Sequence, residues 1–358
     1  MINAITCGTI TVFEPLTMSP RKTTIRFSTT ATNFYFDASF KDLKNIADQK
    51  QTILLTDENV FAQHEKKFKG WRTIVMKAGE AFKNQDSINY LIEKLISMEA
   101  DRKTTLVGVG GGVVTDMTGF VASVYMRGLS FGFIPTTILA MVDASIGGKN
   151  GIDVGLYKNM VGIIRQPSFL LYDVDFLKSL PQHEWINGFA EIIKHASIKD
   201  ATMFRQLKLH DLNWYQKKKK ELNALIERNA RLKAKVVQQD EFEKGDRKLL
   251  NFGHTLGHAL ENLYELSHGQ AISVGMVYAS HLSKIVTGFR NALAVIELLE
   301  QYGLPTHLSF EAEPVFRVLK MDKKREQQTM NFILLERLGK AVVKPIPLDV
   351  LQTILQEA

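Results

Sequence analysis

Thr104-Thr-Leu-Val-Gly-Val-Gly-Gly-Gly-Val-Val-Thr-Asp116 passes from a short β-branched apolar run straight into a triple glycine and then into a helical segment that ends at Arg127-Gly128. A strand that opens through glycine into a helix N-terminus presents backbone N–H groups to an anion, and the missing Cβ atoms let a phosphate approach closely. The segment is therefore a candidate for a cofactor pyrophosphate, although a tight loop would read the same way. It does not match the spaced G-x-G-x-x-G fingerprint, which argues against an ordinary Rossmann dehydrogenase.

Upstream, Thr23–Phe27 and Thr52–Thr56 have the short, β-branched, apolar pattern of strands. The second ends in Thr56-Asp-Glu-Asn59, a turn at the carboxyl end of a strand, where α/β proteins bind nucleotides. A third strand near Ile74–Met76 runs into Gly79-Glu80-Ala-Phe-Lys83. Ile88, Leu91, Ile92, Leu95 and Ile96 then recur at helical spacing behind an expected Asp86 or Ser87 cap. Downstream, Leu129–Ile134 reads as a strand followed by Pro135-Thr-Thr137, and Ser168–Tyr172 as a last strand closing the sheet. Between them Asp143, Lys149, Lys158 and Asn159 are polar groups in a stretch too apolar for plain surface. They either pair with one another or hold a ligand.

After Asp173 the periodicity becomes mostly helical, so the chain divides into an α/β domain, 1–173, and an all-α domain, 174–358, which the candidate sites would make dinucleotide-binding and metal- and substrate-binding respectively. Leu222, Leu225, Ile226, Leu232, Val236 and Val237 mark one long helix whose buried stripe includes Lys233, which either snorkels past the core edge or lines a cavity. Asn251-Phe-Gly-His-Thr-Leu-Gly-His-Ala-Leu-Glu261, if helical, stacks His254, His258 and Glu261 on one face at i, i+4 and i+7, and His268-Gly269 follows. Gly188-Phe-Ala-Glu-Ile-Ile-Lys-His195 offers Glu191 and Lys194 as a facing wall. A carboxylate and imidazoles from separate segments suit a catalytic divalent metal of the zinc type, whereas any one of these histidines alone would read as an ordinary core residue. A zinc protease is excluded, because His-Glu-x-x-His needs its base directly after the first histidine, where this chain has Thr255. Phe332-Ile-Leu-Leu-Glu336 is strand-like.

With 358 residues, 45% of them hydrophobic, the chain can bury a large core. Met1-Ile-Asn-Ala-Ile-Thr-Cys-Gly8 has no basic region ahead of an apolar one, and no apolar run reaches the ~18 residues of a membrane span. The single Cys7 excludes an internal disulfide and agrees with a reducing compartment, so a cytoplasmic protein without membrane contact is expected. A formal net charge of +7 raises the question of nucleic acid, but the one dense run, Lys217–Lys220, precedes a helix without interleaved aromatics. A small anionic substrate is the better partner.

Taken together, Gly110-Gly-Gly-Val-Val-Thr-Asp116, Arg127-Gly128, Pro135-Thr-Thr137, Asp143 to Lys149, Lys158-Asn159, Gly188 to Lys194, Asn251 to Glu261, His268-Gly269 and Asp322-Lys-Lys324 resemble the 3-dehydroquinate synthase family of sugar phosphate cyclases over about Asp57 to Leu335. The resemblance implies that Glu191, His254 and His268 hold zinc or cobalt. It implies NAD against Gly111, Gly112 and Val113, with Asp57, Asn59, Glu80, Lys83, Asp116, Thr136, Thr137, Lys149 and Lys158 as further contacts. Asp143, Lys149, Asn159, Lys194, Lys233, Arg247, Asn251, His258 and one lysine of the 323–324 pair, taken as Lys324, would surround the substrate, with Arg127 reaching across a homodimer interface. The implied reaction converts 3-deoxy-D-arabino-heptulosonate 7-phosphate to 3-dehydroquinate and phosphate by transient NAD oxidation, β-elimination, re-reduction and aldol closure. A cyclase acting on sedoheptulose 7-phosphate or glucose 6-phosphate is the alternative. Phe82, Tyr157 and Gln270 depart from the family pattern without removing a ligand.

Overall fold

The structure, a computed structural model, describes residues 20–155, 157–320, 325–326 and 328–356. In the N-terminal half the strands are β1 (Arg21–Arg26), β2 (Ala31–Phe36), β3 (Thr52–Asp57), β4 (Arg72–Met76), β5 (Thr105–Gly110), β6 (Ser130–Pro135), β7 (Lys149–Val154), β8 (Tyr157–Ile164) and β9 (Phe169–Leu171). Seven of them form one sheet in the order β1-β2-β9-β6-β5-β3-β4, and β7 and β8 form a separate antiparallel hairpin. Every pairing in the large sheet is parallel except that of edge strand β1 with β2.

The central strands are buried on both faces, as a parallel sheet covered by helices requires, and Leu106, Val107 and Val109 of β5 are fully buried. The covering helices are α1 (Leu43–Ile46), α2 (Glu58–Phe68), α3 (Gln85–Ser97) and α4 (Gly112–Val124). Because β4 lies on one side of β3 and β5 on the other, the winding reverses between β3 and β5. The carboxyl ends of those strands, at Asp57 and Gly110, therefore border the crevice where open α/β sheets take their ligands.

Three local readings change. The cap of α3 is Asn84, whose side chain accepts from the Ser87 amide at 3.1 Å, and neither Asp86 nor Ser87. Strand β2 carries the alternation that the sequence reading passed over, with Phe34 and Phe36 inward. Strand β9 lies between β2 and β6 inside the sheet, not at its margin.

The second half contains α5 (Gln182–Lys199), α6 (Ala201–Lys208), α7 (Leu212–Lys217), α8 (Lys219–Gln239), α9 (His254–Leu263), α10 (His268–Val286), α11 (Ala292–Gln301), α12 (Ala312–Lys320) and α13 (Leu348–Gln356). It is helical as expected, but it also carries a three-stranded antiparallel sheet of β10 (Arg325–Glu326), β11 (Thr329–Arg337) and β12 (Lys340–Pro347). Strand β12 is Lys- and Pro-rich because it is an edge, where a missing N–H costs no ladder bond.

One hydrophobic core crosses both halves, running from Phe34 and Ile53 through Val142 to Phe189, Ile226 and Leu298. A second cluster joins α9, α10, α12, α13 and β11 through Leu256, Val274, Phe316, Phe332 and Leu351. Helices α9 and α10 approach so closely that a Cβ on Gly275 would lie 1.9 Å from the carbonyl oxygen of Gly253. Gly253 itself has φ +80°, so both sides of this contact require glycine. Among the described residues no helix is long and apolar enough to cross a membrane.

Candidate active site

Three elements converge at the junction of the halves. Helix α5 is buried from Asn187 to Ile198 and delivers Glu191 with no exposed surface. Helix α9 begins at His254, directly after the left-handed Gly253, and α10 begins at His268. Ser267 and Gln270 close a capping box at the start of α10, so Gln270 performs the reciprocal capping that Glu would perform there. The His254 and His268 Nε2 atoms lie 3.6 and 3.5 Å from the Glu191 Oε1. One ligand atom of each of these three residues falls within 4.8 Å of the others.

Each imidazole is turned by its other nitrogen. The His254 Nδ1 lies 3.2 Å from the Phe252 carbonyl, and the His268 Nδ1 lies 3.4 Å from the Glu261 Oε2. Both Glu191 oxygens are buried; Oε2 is in contact with the Lys194 ammonium, whereas Oε1 faces the two imidazoles with no hydrogen-bond partner among the described residues. A buried carboxylate oxygen without a hydrogen bond, faced by two imidazole nitrogens, forms a donor set that fits a divalent cation. A second group, Asp143, Glu191 and His195, is equally compact. It fits a cation poorly, because Lys233 lies 2.6 Å and Lys194 3.9 Å from the same Asp143 Oδ1.

The charges follow this layout. Burial penalises the ionised Asp143, but Lys233, Lys194 and His195 outweigh it and hold the carboxyl well below the usual range. Burial likewise acts against ionised Glu191, and Lys194, paired with it, is the main group that lowers its pKa. Burial pushes the His268 imidazolium down, yet Glu191 and Glu261 raise it to about 9. Burial pulls Lys233 down, and Asp143 opposes this without cancelling it.

A second cluster borders the glycine turn between β5 and α4. No side chain caps α4 at Gly111, so its first amides remain available to an anion, and a Cβ on Gly112 would meet Ala144 at 3.4 Å. Lys83 lies 2.6 Å from Asp116 and 3.7 Å from Glu80, and donates to the Asn159 side chain at 2.7 Å. Burial raises the Asp116 carboxyl to about 6 despite Lys83. Asp57 caps α2, accepting from the Val60 amide at 2.9 Å, and Asn59 lies exposed in the first turn. Thr136 and Thr137 directly follow β6, and the buried Thr136 hydroxyl has no hydrogen-bond partner among the described residues.

The two clusters are tied across the halves. Lys158 on β8 donates to Glu261 on α9 at 2.6 Å, and Lys149 on β7 pairs with Glu243. Asn251 donates to the same Glu243 at 2.6 Å, and His258, one turn after His254, keeps its ring centroid 5.1 Å from it. Lys233 also donates to the Asp143 backbone at 2.7 Å, which answers the snorkelling question: its ammonium points into the junction. Arg247 is buried and donates to two carbonyls, Gly147 at 3.0 Å and Glu241. Arg127 is exposed with φ 65°, beyond the end of α4 opposite Gly112, roughly 20 Å along the axis. Lys323 and Lys324 lie outside the described residues.

Sequence reasoning gave no role to His195, Glu243 or Asp153. His195 stands beside Lys194 in a quoted stretch, and its Nδ1 lies 3.2 Å from Asn229. Asp153 accepts from the Asn159 amide at 2.7 Å, which holds Asn159 at φ 55°. Glu261 was visible as the third member of the α9 face, and what the spacing did not show is that it turns to His268.

Family models described as 3-dehydroquinate synthase N-terminal and 3-dehydroquinate synthase C-terminal match residues 73–187 and 188–325. A 3-dehydroquinate synthase of Pyrococcus furiosus is 38% identical over 289 residues, which is 80% of this chain and 84% of that protein. One of Campylobacter concisus is 42% identical over 272 residues, covering 74% and 77%. Among solved structures, a 2-deoxy-scyllo-inosose synthase complexed with carbaglucose-6-phosphate, NAD+ and Co2+ superposes with TM-score 0.83 at 24% identity, covering 94% of this chain and all of that one, a likeness of fold. The 2-epi-5-epi-valiolone synthase of Streptomyces hygroscopicus, with NAD+ and Zn2+ bound, gives TM-score 0.77 at 25% identity, covering 87% and 92%. Two consecutive family matches over an α/β half and a helical half, joined at one Glu–His–His cluster, make this chain a member of the 3-dehydroquinate synthase family.

Proposed function

We propose that the chain is a 3-dehydroquinate synthase acting on 3-deoxy-D-arabino-heptulosonate 7-phosphate in the cytoplasm, within the shikimate route to aromatic amino acids. The observation that carries this substrate is Arg247. It is buried, and no carboxylate lies within ion-pair distance of it among the described residues, whereas Lys149, Lys158, Lys194 and Lys233 all pair with internal carboxylates. A buried guanidinium that has spent two donors on carbonyls keeps a fork for a carboxylate, and of the three candidate sugars only the heptulosonate carries one. The higher identity to named 3-dehydroquinate synthases than to the other cyclases points the same way.

Glu191, His254 and His268 would hold the divalent metal, zinc or cobalt. Gly111, Gly112 and Val113 would face the NAD pyrophosphate, with Asp57, Asn59, Glu80, Lys83, Asp116, Thr136, Thr137 and Lys158 around the rest of the cofactor. When bound, these groups supply a reversible hydride acceptor and Lewis acidity at a substrate hydroxyl. The chain's own work is positioning. Arg247 and Lys233 orient the carboxylate end. Lys149, Asn159, His258 and a lysine of the 323–324 pair hold the phosphate end, and Asn251 lies between. Lys194, between Glu191 and Asp143, keeps both carboxylates ionised and fixed. Holding both anionic ends places the phosphate to leave and the opened chain to close on itself, a task of orientation more than of covalent chemistry.

The proposal includes a homodimer. Tyr157 and Met160 on β8 are 68% and 69% exposed, with Val161, Ile163 and Ile164 also uncovered, and Arg127 lies exposed where it cannot reach its own cluster. A partner covering β8 would bury that apolar strand and receive Arg127 in its own site.

The test is phosphate release from the heptulosonate, sedoheptulose and glucose phosphates with NAD, with and without chelator. Release from the first alone, abolished by chelator and without net NADH, is expected. Release from another sugar moves the substrate assignment, and accumulating NADH replaces the cyclase by a dehydrogenase.

A further inference from the structure

The two histidines of the metal cluster are supported differently. The Nδ1 of His254 faces a backbone carbonyl of its own segment, Phe252, a neutral partner that the fold of the turn fixes. The Nδ1 of His268 faces the Glu261 carboxylate, 3.4 Å away, from a different helix. The other oxygen of Glu261 accepts at 2.6 Å from Lys158, on the hairpin of the nucleotide half. Glu261 keeps only 11% of its side chain exposed, so this is a built contact and not a passing surface pair.

We propose that Glu261 is a positioning residue for the metal and that Lys158 makes it answer to the nucleotide half. By holding Nδ1–H, Glu261 fixes the tautomer of His268, turns Nε2 toward Glu191 and raises the basicity of the ring. Carboxylate–histidine–metal relays of this kind strengthen metal binding. Lys158 holds the carboxylate from the opposite side of the junction, so a displaced hairpin would release the support of one ligand. The same lysine is a proposed NAD contact, which places the cofactor and the metal on one chain of contacts, Lys158–Glu261–His268. The inference rests on the reading of Glu191, His254 and His268 as metal ligands.

The experiment measures zinc affinity of the full chain by competition with a chromogenic chelator, without NAD or substrate, so that the readout is not turnover. Glu261→Gln, which keeps the shape and loses the charge, should weaken zinc binding about 10- to 100-fold. Glu265→Gln, which removes an exposed carboxylate four residues further along, should leave it unchanged and so exclude a general charge effect. Lys158→Met should weaken zinc binding several-fold. Far-UV circular dichroism and the unfolding midpoint of each metal-free variant separate lost folding from lost affinity, and Glu261→Asp serves as a second probe if Glu261→Gln does not fold. Wild-type affinity in folded Glu261→Gln overturns the proposal, and wild-type affinity in Lys158→Met overturns its link between the halves. Failure of the wild-type chain itself to bind zinc would instead overturn the metal reading, a distinguishable result.

Discussion

At the scale of single residues, role follows from which atom faces which. His254 and His258 occupy neighbouring turns of α9, and the first presents Nε2 to Glu191 at 3.6 Å. His254→Ala should therefore lose bound metal and turnover together. His258→Ala should retain about wild-type metal content and lose turnover by on the order of 100-fold, as metal analysis beside phosphate release will show. Asp116 gives a pH prediction. Its folded pKa of about 6 stands above the ordinary aspartate value of 3.8, so between these values the folded chain holds a proton that the unfolded chain releases. Stability should fall as pH rises across that interval, by up to about 3 kcal/mol, and Asp116→Asn should flatten the dependence in thermal unfolding of nucleotide-free protein. Lys83 opposes this shift: burial lowers its own pKa, but its attraction to Asp116 and Glu80 raises it, and the same attraction favours the ionised Asp116. For Asp116 the burial cost is the greater of the two, and its direction sets the expected sign. Much at this scale was legible before the fold, because spacing on a helix places Glu191 beside Lys194, and His254 beside His258 and Glu261. His195, Glu243 and Asp153 were not, because each acquires its partner across 6 to 94 residues of chain, a separation that periodicity does not encode.

At the scale of elements, the separation of His254 and His268 is set by how closely α9 and α10 pack. Gly275→Ala would drive a methyl into the Gly253 carbonyl and push the first turn of α9 away. We expect a loss of about 1–3 kcal/mol of stability together with weaker zinc binding, whereas Gly288→Ala, strained at φ +72° but with nothing within 4 Å, should cost stability and leave zinc binding unchanged. An unaltered zinc affinity in folded Gly275→Ala would show that this contact does not position His254. The strands β3, β5 and β6 and the long helices were readable from apolar runs and helical periodicity. The β10–β12 sheet was not, because β12 reads Lys-Ala-Val-Val-Lys-Pro-Ile-Pro, an edge strand whose two buried positions, Ala341 and Ile346, show no period of two. The position of β9 was equally hidden, since sequence shows that a strand exists and seldom which neighbours it takes.

At the scale of the whole molecule, one core crosses the boundary between the halves, and Lys158–Glu261, Lys149–Glu243 and Lys233–Asp143 bind them further. Thermal unfolding should therefore be a single transition in calorimetry, and two separated transitions would show the halves to be independent. Zinc at about a hundred times its dissociation constant should add about 2.7 kcal/mol to the folded state. Lys194, buried between Glu191 and Asp143, has a consequence for how the enzyme is made. An ammonium group of the polypeptide partly neutralises the carboxylates at the centre before any ion arrives, so the chain need not wait for a cation to fold. Protein refolded in chelator should regain native helix content and accept zinc afterwards. A cell short of the metal would then accumulate a dormant reserve that awakens on resupply without new synthesis.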